Sequence, residues 1–93
     1  MRFLKEKVLS VYVIDDQYLV LTRNGHKIRV KLLAKDFREV RTITTFTGNR
    51  GFVLGEFSQS YLISIDNKLF SLRPKEKKVK LLYEIKENNF FWQ

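Results

Sequence analysis

The chain is predicted to fold as an all-β protein of about eight antiparallel strands, arranged as two four-stranded meander repeats. Residues that favour strands (Val, Ile, Phe, Tyr, Thr) are plentiful, whereas Ala34 is the only alanine in the 93 residues. Asn24-Gly25 and Asp66-Asn67 each separate two short apolar runs and suit the positive φ of a tight hairpin turn. Similar segments also recur after about 40 residues, the period of a repeat unit of four short strands.

The first repeat, residues 8–46, is predicted to contain strands at Val8–Ile14, Tyr18–Thr22, Lys27–Leu33 and Val40–Phe46. The third strand alternates: Ile28, Val30 and Leu32 share one face, and Lys27, Arg29 and Lys31 share the other. This pattern is typical of a half-buried strand, so we expect the three cations on a solvent-exposed face. Residues 34–39 form a polar connection with room for a single helical turn.

The second repeat, residues 52–85, is predicted to contain strands at Phe52–Phe57, Tyr61–Ile65, Leu69–Arg73 and Val79–Ile85. Residues 47–51 separate the repeats, and an aromatic tail, residues 86–93, follows the second one. The matching segments are Tyr18-Leu19-Val20 with Tyr61-Leu62-Ile63, Lys27-Ile28 with Lys68-Leu69, and Val40-Arg41 with Val79-Lys80. The pattern favours units that resemble β-propeller blades within a single domain; a closed eight-stranded barrel or a sandwich is the alternative.

Residues 18–21 and 61–65 do not alternate, which indicates that both sides of these strands need cover. Leaving two such Leu or Ile side chains in water would reduce the stability of the fold by roughly 3–6 kcal/mol. We therefore expect a homo-oligomer, either a ring of chains or a dimer that buries the spare face. Its predicted contacts are Tyr18, Val20, Leu62 and Ile63, together with Phe90, Phe91 and Trp92 of the tail, which pack on their own chain or on a neighbour.

The formal net charge of +8 favours an anionic partner, and nucleic acid bound with low sequence selectivity is the leading prediction. Besides the cations of the third strand, a cluster of lysines surrounds the last predicted turn. Arg38 and Arg41 lie in the equivalent region of the first repeat. The predicted binding residues are Lys27, Arg29, Lys31, Arg38, Arg41, Arg50, Lys75, Lys77, Lys78 and Lys80. Two alternatives stay open: lysines that merely protect sheet edges, and a self-assembling protein-interaction or structural module.

Catalytic chemistry finds little support in the sequence. Without cysteine, thiolate catalysis, disulfides and Cys-ligated zinc are excluded. His26 is the only histidine and lies in a predicted turn, and the adjacent Asp15 and Asp16 are expected to point apart. Gly48-Asn49-Arg50-Gly51 fits the GxxG loop with which KH domains clamp a nucleic-acid backbone, but strands rather than helices flank it. We expect no enzyme, no cofactor and no metal site.

Hydrophobic segments give no sign of a membrane partner. No run approaches the roughly 18–20 apolar residues that span a bilayer. The apolar stretch near the N-terminus is short, ends at Asp15 and lacks a small-residue cleavage site. We expect a cytoplasmic protein.

Overall fold

A computed structural model describes residues 6–85, which form eight antiparallel strands in two four-stranded sheets and contain no helix. The N-terminal sheet comprises β1 (Lys7–Ile14), β2 (Gln17–Asn24), β3 (Lys27–Leu33) and β4 (Glu39–Thr47). The C-terminal sheet comprises β5 (Gly51–Phe57), β6 (Ser60–Ile65), β7 (Lys68–Arg73) and β8 (Lys78–Glu84). Both are meanders in sequence order, which confirms the all-β antiparallel prediction, and residues 6–85 form no closed barrel.

Tight turns with positive φ join the strands of each hairpin. Asp15 has φ of 48°, Asp66 has 54°, and Ser58 and Gln59 have 51° and 67°. Aspartate enters the left-handed region more readily than most residues, because its side chain is short and polar. The second turn is Gly25-His26 rather than the predicted Asn24-Gly25, because Asn24 still pairs with Lys27 in the ladder.

The connection before β4 differs from the sequence prediction. Residues 34–38 form a turn and not a helical turn, and Glu39 already belongs to the strand. The Phe37 amide donates to the carbonyl of Ala34 at 2.8 Å, and Phe37 itself has φ of 68°. A positive φ is unfavourable in a helix of L-residues, so the chain cannot continue as a helix beyond Phe37.

The hydrophobic core lies between the two sheets and draws on both. The N-terminal sheet contributes Leu19, Leu21, Ile28, Val30, Leu32 and Ile43, and the C-terminal sheet contributes Val53, Tyr61, Ile63, Ile65 and Leu72. β1 and β5 are the closest strands of the two sheets, and the Ser10 hydroxyl accepts a hydrogen bond from the Val53 amide at 3.1 Å. At the other side of the core, Phe46 and Phe70 pack with their ring centroids 4.6 Å apart.

The linker between the sheets is held by one carboxylate. Asp66 Oδ1 accepts hydrogen bonds from the amides of Asn49 at 3.1 Å and Arg50 at 3.0 Å. Glycine is favoured at position 48, because a Cβ would lie 2.8 Å from Asp66 Oδ2 and 2.8 Å from Ile65 Cγ2, so these side chains would have to shift. The Gly48 amide donates to the His26 carbonyl at 2.8 Å, so the linker is tied to a turn of each sheet.

Equivalent positions of the two sheets face opposite ways relative to the core. Leu19 is a core residue, whereas its counterpart Leu62 is half-buried on the outer side of the C-terminal sheet. Conversely, Ile63 is in the core, and its counterpart Val20 lies on the outer side of the N-terminal sheet. The core-facing side of the first sheet therefore corresponds to the outer side of the second.

Two of the predicted oligomer contacts are already covered within the single chain. Val20 is only 6% exposed and Ile63 is fully buried within the single chain, so neither needs a neighbour to cover it. Tyr18 and Leu62 stay partly accessible on the two outer sides. Phe90, Phe91 and Trp92 lie outside the described residues.

The two edge strands remote from β1 and β5 are β4 and β8, and both pair irregularly. The β3–β4 ladder shifts register between Val30 and Lys31 and again between Leu32 and Leu33. The β7–β8 ladder shifts between Leu69 and Phe70, and leaves Leu82 as an extra residue in β8. Such bulges bend the strand and interrupt its free row of backbone hydrogen-bonding groups.

Candidate nucleic-acid interface

Two basic segments from different sheets meet at one end of the molecule. One precedes and enters β4, and the other spans the end of β7, the last turn and the start of β8. Arg41 Nη2 donates to the carbonyl of Pro74 at 3.1 Å and joins them. We call their cations the basic rim: Lys35, Arg38, Arg41, Arg73, Lys75, Lys77, Lys78 and Lys80.

The basic rim carries most of the net charge of the described residues. Residues 6–85 contain fifteen Lys or Arg and nine Asp or Glu, a net charge of +6. Residues 35–41 and 73–80 contain eight of the cations and three of the carboxylates, a net charge of +5. A field of one sign is therefore concentrated at a single end of the molecule.

The lysines of the rim are available to a partner. Lys75, Lys77, Lys78 and Lys80 are exposed, and no carboxylate among residues 6–85 lies within ion-pair distance of their ammonium groups. Glu76 pairs with Arg73 at 3.6 Å and Asp36 with Arg38 at 3.9 Å. Exposed pairs at such distances are weak and leave the local field positive.

The cations of β3 are arranged differently from the prediction. Glu6 accepts hydrogen bonds from Arg29 Nη1 and Lys31 Nζ, both at 3.0 Å, and the Lys31 side chain is only 15% exposed. The hydrogen bond from Lys31 holds the pKa of Glu6 below its ordinary value, against an opposing effect of burial. The expected solvent-exposed stripe is thus partly buried and neutralised. Sequence reasoning missed Glu6 because it is more than twenty residues from both partners and shows no local pattern.

Lys27 and Arg50 lie at the end of the molecule opposite the rim. Lys27 begins β3 beside the Gly25-His26 turn, and Arg50 is in the linker. Both are exposed, but strands as long as β3 separate them from the lysines around the last turn. The structure therefore brings Arg38 and Arg41 together with Lys75, Lys77, Lys78 and Lys80, and leaves the other four predicted residues elsewhere.

The glycine-bracketed loop of residues 48–51 is occupied by the protein itself. The amides of Asn49 and Arg50 point at Asp66, so a phosphate there would have to displace a carboxylate. Asn49 Oδ1 also lies 2.8 Å from His26 Nδ1. These contacts give the loop and His26 a structural role, and Asp66 is a second residue whose part the sequence did not reveal.

A cleft of about 620 Å³ opens between the sheets beside the rim. Three cations, Arg41, Arg73 and Lys75, line it together with three carboxylates, Asp15, Glu56 and Glu76, so its charges balance. Burial, followed by the charge of Glu56, raises the pKa of the lining Tyr61 above its ordinary value of 10.0. Because of the carboxylates, an anion is better placed on the outside of the rim than in the cleft.

Two aromatic side chains near the basic segments, Phe37 and Tyr83, are exposed. Phe37 stacks on Tyr18, with the ring centroids 5.0 Å apart and the planes 12° from parallel. Tyr83 pairs with Leu69 on the outer side of the C-terminal sheet, the side that Lys80 also occupies. Aromatic faces beside cations suit unpaired bases, so Tyr83 is the better placed of the two.

No group of three or more His, Asp or Glu among residues 6–85 is arranged to hold a metal ion. The adjacent Asp15 and Asp16 are both exposed at the tip of the β1–β2 hairpin. No helix long and apolar enough to cross a membrane occurs in the same residues.

No protein-family model matches the chain, and neither the curated proteins nor the solved structures include a significant match.

Proposed function

We propose that the chain is a non-enzymatic binding module that engages nucleic acid through the basic rim, with little sequence selectivity. The observation that carries the proposal is the contact between Arg41 and Pro74, which joins the basic segments of both sheets into one surface of net charge +5. A lysine that contacts a phosphate does so as a point charge, and phosphate contacts carry no sequence information, so such contacts give affinity without selectivity.

The rim also lies where a long polyanion can reach it. β4 and β8 are edge strands, and the lysines of the last turn are exposed, so no strand of residues 6–85 covers them from outside. Neutralising phosphates releases their counterions, which makes affinity depend steeply on salt. For a single strand that contacts four lysines, affinity should fall by about 50-fold between 50 and 200 mM salt.

The test is binding of a labelled single-stranded oligonucleotide, followed by fluorescence anisotropy across that salt range. The variant Lys75→Gln/Lys77→Gln/Lys78→Gln/Lys80→Gln should bind more weakly. In a plot of log affinity against log salt concentration, its slope should be shallower by about 3, since four phosphate contacts are lost. Its matched control removes four charges from the opposite end of the molecule: Lys7→Gln/Lys27→Gln/Arg50→Gln/Lys68→Gln.

The control variant should keep most of the affinity and most of the salt slope. Equal losses in the two variants would mean that net charge alone attracts the oligonucleotide, and the rim would not be a site. Absence of binding by the unaltered chain at 50 mM salt would end the proposal.

We further propose that the two sheets are copies of one unit that resembles a propeller blade. This is supported by the four-stranded meander of each, by the matched segments of their sequences, and by the placement of the rim on the last strand of each. The alternative function, a self-assembling module, is favoured by a separate observation on the outer sides of the sheets.

A further inference from the structure

The outer sides of the two sheets carry several of the large apolar side chains that the core leaves out. On the C-terminal sheet, Phe52 pairs with Ser64, Ser64 with Leu69, and Leu69 with Tyr83, so these four form one row of the outer side. Phe52 is 49% exposed and Phe57, in the same strand, is 72% exposed. On the N-terminal sheet, Val11 and Val13 of β1 are 55% and 63% exposed.

Strand pairing shows what these side chains correspond to in the other sheet. Val11 pairs with Val20, the counterpart of Ile63, and Ile63 pairs with Val53. The exposed Val11 therefore occupies the position that the core residue Val53 holds in the C-terminal sheet. By the same reasoning Phe57, which precedes the β5–β6 turn, corresponds to Ile14, which packs against the core.

We infer that a second copy of this chain packs its N-terminal sheet, by its outer side, onto the outer side of the C-terminal sheet. Within one chain, the core-facing side of the N-terminal sheet packs on the side of the C-terminal sheet that carries Val53 and Tyr61. If the same sheet-on-sheet packing is repeated between two chains, the outer side of the C-terminal sheet, with Phe52 and Phe57, contacts the outer side of the partner copy's N-terminal sheet, with Val11 and Tyr18. The new interface thus continues the one that already joins the two sheets.

The arrangement is head-to-tail, because two different surfaces meet. If two copies of the same surface met instead, the outer side of one sheet would stay exposed in each chain. A head-to-tail step closes into a ring when its rotation divides a full turn, and otherwise forms a filament. In both, β1 and β5 lie at the contact, as they do within the chain, and the edge strands with the basic rim stay free.

The test is the mass in solution of the full chain, by sedimentation velocity, with two charged substitutions. Phe52→Glu places a carboxylate on one surface and Val11→Glu places one on the other. Each variant alone should be a monomer where the unaltered chain is an oligomer. An equimolar mixture should form a dimer and go no further, because the Val11→Glu chain keeps an intact C-terminal sheet and the Phe52→Glu chain an intact N-terminal one.

Val79→Glu is the matched control, since Val79 is half-exposed on the core-facing side of β8 and belongs to neither surface. It should leave the mass unchanged. A monomeric unaltered chain, an oligomer that survives Val11→Glu, or a mixture that stays monomeric would each overturn the inference. Dimers in the mixture also show that both variants are folded. The inference goes beyond the proposed function and does not depend on it, because its readout contains no nucleic acid.

Discussion

Removing the carboxylate of Asp66 should loosen the connection between the two sheets. Asp66→Ala leaves the amides of Asn49 and Arg50 without their acceptor, and it places alanine at φ of 54°. Hydrogen bonds to a charged group contribute about 1.5–3 kcal/mol each when protected, and these solvent-exposed ones should contribute about 1–2 kcal/mol together. The left-handed backbone adds about 1 kcal/mol for alanine. The expected loss in free energy of unfolding is therefore about 2–3 kcal/mol.

Two further variants separate these contributions. Asp66→Gly loses the acceptor but tolerates the positive φ, so it should cost about 1 kcal/mol less than alanine. Asp66→Asn keeps one acceptor oxygen and also tolerates the backbone, so it should be the mildest of the three. Urea unfolding at one fixed protein concentration measures all of them, because association would shift the apparent stability. If Asp66→Ala lost under 0.5 kcal/mol, or Asp66→Gly proved worse than alanine, the reasoning would be refuted.

Three other outcomes are expected. Gly51→Ala sets a Cβ 2.8 Å from Ile65 Cδ1 and should lose about 1–3 kcal/mol in urea unfolding, whereas Gly55→Ala meets nothing within 4 Å and should be neutral. Because the pKa of Glu6 is lowered, its contribution is present above pH 4.5 and disappears as pH falls through the lowered pKa, so Glu6→Gln should be destabilising at pH 7 and nearly neutral at pH 2. Because the pKa of Tyr61 is raised, stability should fall as pH rises past 10, and Tyr61→Phe should reduce that fall in thermal melts from pH 9 to 12.

The strands followed closely from the sequence because their ends are marked by turn chemistry. Asp66-Asn67 form the turn of one hairpin as expected. β3 has the predicted bounds, because its alternation leaves only the face with Ile28, Val30 and Leu32 suited to the core. The connection before β4 had room for a helical turn but does not form one, because Phe37 takes a positive φ that nothing local in residues 34–39 indicates.

The candidate site was harder to predict, because it depends on which residues the fold brings together. Strand patterns placed the cations of β3 on the correct side, but the pairing of Arg29 and Lys31 with Glu6 is a tertiary contact. Apolar residues on both sides of β2 indicated a need for cover, which the single chain supplies for Val20. Val11 of β1 and Phe57 of β5 stay uncovered, although their counterparts in the other sheet, Val53 and Ile14, belong to the core or pack against it.

The irregular edges of β4 and β8 oppose the pairing of edge strands between molecules in concentrated solution. A continuous β-ribbon grows when the last strand of one molecule hydrogen-bonds to the last strand of another. Bulges interrupt both terminal ladders here, and Lys78 and Lys80 would bring like charges together in such a pairing. Even concentrated samples should therefore resist aggregation through edge-to-edge pairing of β4 and β8.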